Sequence, residues 1–226
     1  FATSLGGCRE DAVTIAARVL GRFTGEPAAT VIGTGLRTDM LHAAFTNAMS
    51  ANVFDFDDTH ERTIIHPTAP VAPPLFALAE QRGLSGRSLL LALAIGMESA
   101  CRIGNAISPE HYRRGWHITS TCGVFGAALA AGRALGLDRK RMQWAIANAA
   151  VQAGGLVETL GTMSKSISVG NAARNGLVSA LLAQQDFSGP PFPLEGERGY
   201  LRVAGEEPRF GEIVAELGER WELLSN

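Results

Sequence analysis

HITSTCGVFGAALAAGRAL, residues 117–135, carries apolar or small side chains around most of a helical circumference and stops at Gly136. A helix of that kind is buried on several sides. Two neighbours share its character. One covers Leu89 to Ile107 behind a Ser85 cap, and one opens at Asp138 and runs to about Ala153. Ala and Gly are abundant, and aromatics make up only 7%. Small residues let helices approach closely, whereas a β-sandwich would want more Val, Ile, Thr and aromatic side chains. The expectation is an all-α, multi-helix bundle.

The rest of the chain extends this reading. Residues 10–22 repeat Ala12, Val13, Ile15, Ala16, Val19 and Leu20 on a 3.6-residue period. Thr38 or Asp39 caps a helix that buries Met40, Leu41, Ala44, Phe45, Ala48 and Met49 and runs toward Phe54. Pro70, Pro73 and Pro74 open a helix through Glu80, because proline is tolerated in a first turn. Val169 to Gln185 forms another, and a short one covers Gly211 to Arg220. Gly189-Pro190-Pro191-Phe192-Pro193 is a break, and Tyr200 to Val203 is the best strand candidate. No internal repeat is present.

Composition excludes several classes of function. The formal net charge of -2 leaves no basic excess to attract nucleic acid or an anionic membrane. The apolar run Leu89–Met97 is too short for a membrane span, which needs about 20 residues. Cys8, Cys101 and Cys122 lie far apart, with no zinc or iron–sulfur spacing. They read as buried thiols of a reducing, cytoplasmic compartment. The chain starts at Phe1 and ends just after a helix, so we expect one domain, 1–226, trimmed at both ends.

Four segments carry chemistry. Asp55-Phe56-Asp57-Asp58-Thr59-His60-Glu61 crowds carboxylates that repel one another unless a cation lies opposite. On a helix, Asp55 and Asp58 would share a face while Asp57 points elsewhere. His66-Pro67-Thr68-Ala69-Pro70 sets a histidine in extended backbone before a helix N-terminus, a natural carboxylate seat. Trp116-His117-Ile118-Thr119-Ser120-Thr121 puts a histidine and hydroxyls at the mouth of the buried helix. Gly161 to Gly176 reads as a Gly/Ser loop holding Lys165 ahead of a helix. Lysine occurs only at Lys140 and Lys165, and Lys165 sits among small residues where a substrate could approach. Each histidine also has a plain reading as a satisfied residue near the core, and Lys165 as a solvated one. Asp57-Asp58-Thr59-His60-Glu61 further fits the D-D-x-x-E magnesium motif of isoprenoid synthases. Those enzymes need a second acidic motif on a facing helix, and Glu195 and Glu197 lie instead in Gly/Pro loops.

In their order, Asp55–His60, His66–Pro70, Trp116-His117 with the run at 123–128, Lys165 ahead of Gly170-Asn171-Ala172-Ala173, and Leu194–Gly199 resemble the MmgE/PrpD family. That family includes 2-methylcitrate dehydratase, cis-aconitate decarboxylase and iminodisuccinate epimerase. The resemblance implies a helical domain with a smaller α/β lid domain outside this chain, a homodimer, and catalysis without metal or cofactor. It implies Asp55, His66, His117 and Lys165 as catalytic residues, with Asp58, Thr59 and Thr119 binding a small polycarboxylate. The lid would add a lysine and a tyrosine.

Breaking a bond next to a carboxylate leaves negative charge that cations and N–H donors must stabilise. Lys165 and the helix N-termini at His66 and His117 are candidates, with one histidine as acid or base and Asp55 orienting or charging it. Dehydration of 2-methylcitrate is the expectation on family breadth. Epimerisation, decarboxylation and a non-catalytic scaffold are the alternatives.

Overall fold

The computed structural model describes residues 1–224. Among them are eleven α-helices and one two-stranded antiparallel hairpin, so the chain is all-α. Helices α1 (Ala2–Gly7) and α2 (Asp11–Leu20) precede strands β1 (Ala29–Val31) and β2 (Leu36–Thr38). Then come α3 (Met40–Asn52), α4 (Thr68–Arg82), α5 (Gly86–Ile107), α6 (Glu110–Arg113), α7 (Ile118–Ala134), α8 (Arg139–Ala150) and α9 (Met163–Gln184). The short α10 (Tyr200–Ala204) and α11 (Gly211–Val214) follow.

Helix α7 is the axis of the bundle, with α4, α5, α8 and α9 packed around it. Its small residues make this feasible. A Cβ on Gly96 of α5 would sit 2.6 Å from the Gly126 carbonyl, and one on Gly126 would sit 2.6 Å from the Gly96 carbonyl. At that crossing the two backbones touch. Gly176 of α9 plays the same part on another face, where an added Cβ would meet Ala127 Cβ at 2.4 Å and the Ala128 nitrogen at 2.8 Å. We therefore expect Gly176→Ala to destabilise the fold. Removing a helical glycine gains roughly 0.5–1 kcal/mol, whereas overpacking against rigid backbone costs about 1–3 kcal/mol. A denaturant midpoint at or above that of the wild type would contradict this crossing.

The caps read from sequence are formed. Asp39 Oδ1 accepts the Leu41 and His42 N–H groups at 3.0 and 3.1 Å. Ser85 Oγ accepts from Ser88 and Asp138 Oδ1 from Arg141. Gly136 takes φ 70° just past the end of α7. Helix α5 is the one described helix long and apolar enough to cross a membrane, and 61% of its most apolar window is buried inside the protein.

Four expectations need correction. Tyr200–Val203 is helical, not extended, because Leu201 and Ala204 are the buried positions and Arg202 and Val203 lie outside, a spacing of three rather than two. Lys165 lies in the first turn of α9 rather than in a loop; Gly161 and Thr162 turn the chain, and α9 starts six residues earlier than read. Helix α3 stops at Asn52, so Asp55 to Asp58 occupy a turn in which Asp55 takes φ 57°. The helix expected to reach Arg220 ends at Val214. The hairpin was not anticipated. Its strands are three residues each, shorter than alternation can reveal, and Asn47 ties them to α3 through Thr30 and Ile32.

Candidate active site

Four helix ends converge: the C-terminus of α3 and the N-termini of α4, α7 and α9. Three N-termini at one place concentrate positive dipole ends and unbonded N–H groups. The turn after α3 carries the carboxylates into this space. A second turn follows, closed by reciprocal pairing of His60 with Ile65. His60 is buried there against Thr63 and Glu222, and its side chain takes no part in the cluster. The turn returns the chain so that His66 faces the carboxylates just before α4.

Asp55 is the hub. Its Oδ1 lies 2.5 Å from Lys165 Nζ and 3.2 Å from His66 Nε2. Lys165 also donates to the Asn52 carbonyl at 3.2 Å. The pair with Lys165 outweighs partial burial and holds the Asp55 carboxyl below its usual range. Lys165 is 7% exposed, so its plain reading as a solvated lysine gives way to a buried ammonium held in place.

His66 lies between two carboxylates. Nε2 faces Asp55, and Nδ1 faces Asp57 at 3.2 Å and the Thr59 hydroxyl at 3.3 Å. Its backbone N–H donates to Thr119 Oγ1 at 3.2 Å, which pins the segment to α7. Burial alone would push the imidazole pKa down. The Asp57 and Asp55 charges overcome that and raise it. The ring therefore keeps its proton to a higher pH than an ordinary histidine does.

His117, the residue before α7, has the opposite fate. Ser168 Oγ donates to the Lys165 carbonyl at 2.7 Å, and Ser120 Oγ donates to the His117 carbonyl at 2.9 Å. With those protons on the carbonyls, both hydroxyl oxygens are free to accept from His117 Nδ1, at 3.0 and 3.2 Å. That arrangement corresponds to the Nδ1–H tautomer, in which Nε2 is a bare acceptor. Burial, helped by the charges of Lys165 and His66, depresses this ring to about 4. One site therefore holds one histidine whose pKa is lowered and one whose pKa is raised, the arrangement that separates a base from an acid.

The remaining predicted residues are nearby but otherwise engaged. Asp58 Oδ2 accepts the Thr68 hydroxyl at 2.8 Å and its N–H at 3.3 Å, capping α4. Burial, with the neighbouring Asp57 charge, raises its pKa. Thr59 reaches His66, and Thr119 holds the His66 backbone. Sequence reading missed Asp57, Asn52, Ser120 and Ser168 as parts of the site. Asp57 was directed away only because its segment was taken as helical. The serines were visible in their motifs, whereas Asn52 carried no signal.

A cavity of about 430 Å³ opens beside the Asp55–Lys165 pair, walled by Leu160, Met163 and Ser166 and rimmed by Glu10 and Asp11. Of the clustered groups it takes Asp55 and Lys165; His66 and His117 do not line it. Two larger, mostly apolar cavities, of about 490 and 560 Å³, lie near Tyr200 and Phe210 and contain none of the clustered groups. Asp55, Asp57 and His66 bring one ligand atom each within 4.8 Å, a spacing a cation could bridge. Lys165 already pairs with Asp55, and Asn52 donates to both oxygens of Asp57, so we assign this trio no metal.

Known proteins resemble this chain over most of its length. Residues 1–212 match the family profile described as the MmgE/PrpD N-terminal domain. The chain is 36% identical over 217 residues to cis-aconitate decarboxylase of Aspergillus terreus, covering 90% of this chain and 44% of that protein. It is 35% identical over 171 residues to cis-aconitate decarboxylase of Homo sapiens, covering 73% of this chain and 35% of that protein. It is 30% identical over 226 residues to the cis-aconitate decarboxylase-like protein oryM of Aspergillus oryzae, covering 93% and 47%. The chain thus spans less than half the length of these relatives.

Proposed function

Because the chain belongs to the MmgE/PrpD family, matching its N-terminal domain over residues 1–212, we propose that it carries the proton-transfer half of a lyase site for small polycarboxylates, with decarboxylation of a cis-aconitate-like acid as its reaction. The observation that carries this is the pairing of His66, its pKa raised, with His117, its pKa lowered to about 4, around Asp55 and Lys165. The names of the relatives favour decarboxylation over the dehydration expected from family breadth.

In such a reaction the bond to one carboxylate breaks and CO₂ leaves. Its electron pair moves through the double bond to a carbon beside a second carboxylate. One proton at that carbon completes the product. Lys165 and the N-terminus of α9 would stabilise the charge on the second carboxylate. His66 would deliver the proton from Nε2. The bare Nε2 of His117 favours a second reading, in which it removes a proton and a citrate-type substrate loses hydroxide. The proposal includes a lid over Asp55, whose side chain is 55% exposed although it is ion-paired, and a second copy of the chain.

The test follows cis-aconitate and 2-methylcitrate by proton NMR in D₂O with the protein in its natural full length. Decarboxylation gives a methylene alkene and deuterium beside a carboxylate. Dehydration gives an alkene only from the citrate. Neither signal with either acid would overturn the proposal. The pH profile carries a sign. The active form holds His66 protonated and its pKa is raised above 6.5, so kcat/KM should fall as pH rises through that higher value. A fall centred below 6.5 would exclude His66 as the acid.

A further inference from the structure

Asp57 is absent from every role assigned so far except as a neighbour of His66, yet it is the better-held of the two carboxylates. Its side chain is 5% exposed, against 55% for Asp55. Asn52 Nδ2, fully buried, donates to both Asp57 oxygens at 2.9 and 3.0 Å. The same residue accepts Lys165 Nζ on its carbonyl. One position at the end of α3 thus sets the carboxylate behind His66 and the ammonium beside it.

Asn52 holds this pose against a local penalty. Its Oδ1 is buried without a hydrogen-bond partner among the described residues. Flipping the amide would not remove the problem, because it would aim Oδ1 at the Asp57 carboxylate. A buried orphan acceptor in a native protein calls for a reason. The grip on Asp57 is that reason.

We propose that Asp57, clamped by Asn52, is a positioning residue that fixes the proton on His66 Nδ1, so that Nε2–H is the proton the ring gives up. This deepens the reading of His66 as the acid and rests on it. The charged groups facing the ring are Asp55 and Asp57 from the turn after α3 and Lys165 from α9, while His117 from α7 is neutral. Asp55 shares Oδ1 with Lys165, which weakens its claim on Nε2. The Asp57 carboxylate meets Asn52 and His66, while Thr59 Oγ1 donates to the Asp57 backbone carbonyl. Of the two ring protons, the Nδ1 proton is therefore the harder to remove.

The experiment uses the natural full-length protein with ¹⁵N-labelled histidine and needs no substrate. As pH rises through its transition, wild-type His66 should lose the proton from Nε2 and remain as the Nδ1–H tautomer. Loss from Nδ1, or a mixture of the two tautomers, would overturn the proposal, and this readout depends on no variant. In Asp57→Asn the transition should move to lower pH and the tautomer should turn to Nε2–H, as in a free ring. The alkaline limb of kcat/KM should move with it, a loss of about tenfold at pH 8 if one charged hydrogen bond is removed. Asn52→Ala, which keeps the carboxylate but frees it, should give a smaller shift in the same direction. A folded Asp57→Asn with an unmoved transition would sink the idea. Should the wild type turn over no polycarboxylate while its His66 behaves as described, the lyase reading fails and the positioning role stands.

Discussion

Lys165→Met is expected to lower kcat/KM by about 10²–10³ while leaving the fold intact, the scale seen when one preorganised donor to a developing anion is removed. Methionine keeps the length and apolar stem of the side chain and removes only the charge. Lys165 is 7% exposed and sits in the first turn of α9, so its ammonium acts with the helix dipole. The substitution reaches further than one contact, because Lys165 is also what keeps Asp55 below its ordinary pKa. Without it, Asp55 becomes harder to ionise and less able to hold Nε2 of His66. Arginine should not rescue the variant. A planar fork cannot replace a point charge seated at 2.5 Å from Asp55 and 3.2 Å from the Asn52 carbonyl. Steady-state kinetics with cis-aconitate, alongside near-ultraviolet circular dichroism, checks this. Turnover within a few-fold of the wild type would remove Lys165 from the machinery.

His66→Gln should cost about 10³ in kcat, within the range of a positioned acid. Glutamine can place an amide between Asp55 and Asp57 but has no proton to deliver. The alkaline limb should therefore vanish along with the rate, leaving a low and flat residual activity. A variant that is merely loosened would instead keep the limb at reduced amplitude. A rate loss with the limb unmoved would point to a binding role for the ring. Kinetics across pH separates the two.

Much of the fold could be read from composition and period. The run around α7 is decisive because Gly123, Gly126, Ala127 and Ala128 let neighbouring helices approach closely on more than one face, the surface of a helix surrounded by helices. The capping residues Asp39, Ser85 and Asp138 mark their helices because a side-chain oxygen there meets otherwise unbonded N–H groups. The errors have one origin. Periodicity reports how a segment is buried, and that is decided by distant neighbours where the segment is short. Tyr200 packs on Phe125 and His111, and this demand, invisible locally, makes its segment helical. The Gly/Ser character before Val169 suggests a loop, yet small residues there let α9 lie on α3, where a Cβ at Gly170 would come within 2.9 Å of Met49.

The site was legible as residue types in order, but not as charge states. Family resemblance selected Asp55, His66, His117 and Lys165, and the fold brings the first, second and fourth into direct contact. It could not say that the His66 pKa is raised and that of His117 lowered. Those directions come from the Asp57 and Asp55 carboxylates around one ring and from burial of the other near Lys165, in a turn where Asp55 takes a positive φ. Surroundings of that kind have no trace in sequence spacing.

The most direct test is the titration of the two histidines, read by ¹⁵N NMR on the natural full-length protein without ligand. His66 should titrate above the ordinary 6.5. His117 should be a neutral ring with its proton on Nδ1, staying so until the pH falls to about 4. A His117 that titrates near 6.5 like a free imidazole, or a His66 that loses its proton below 6.5, would contradict the division of acid from base on which the proposed chemistry stands.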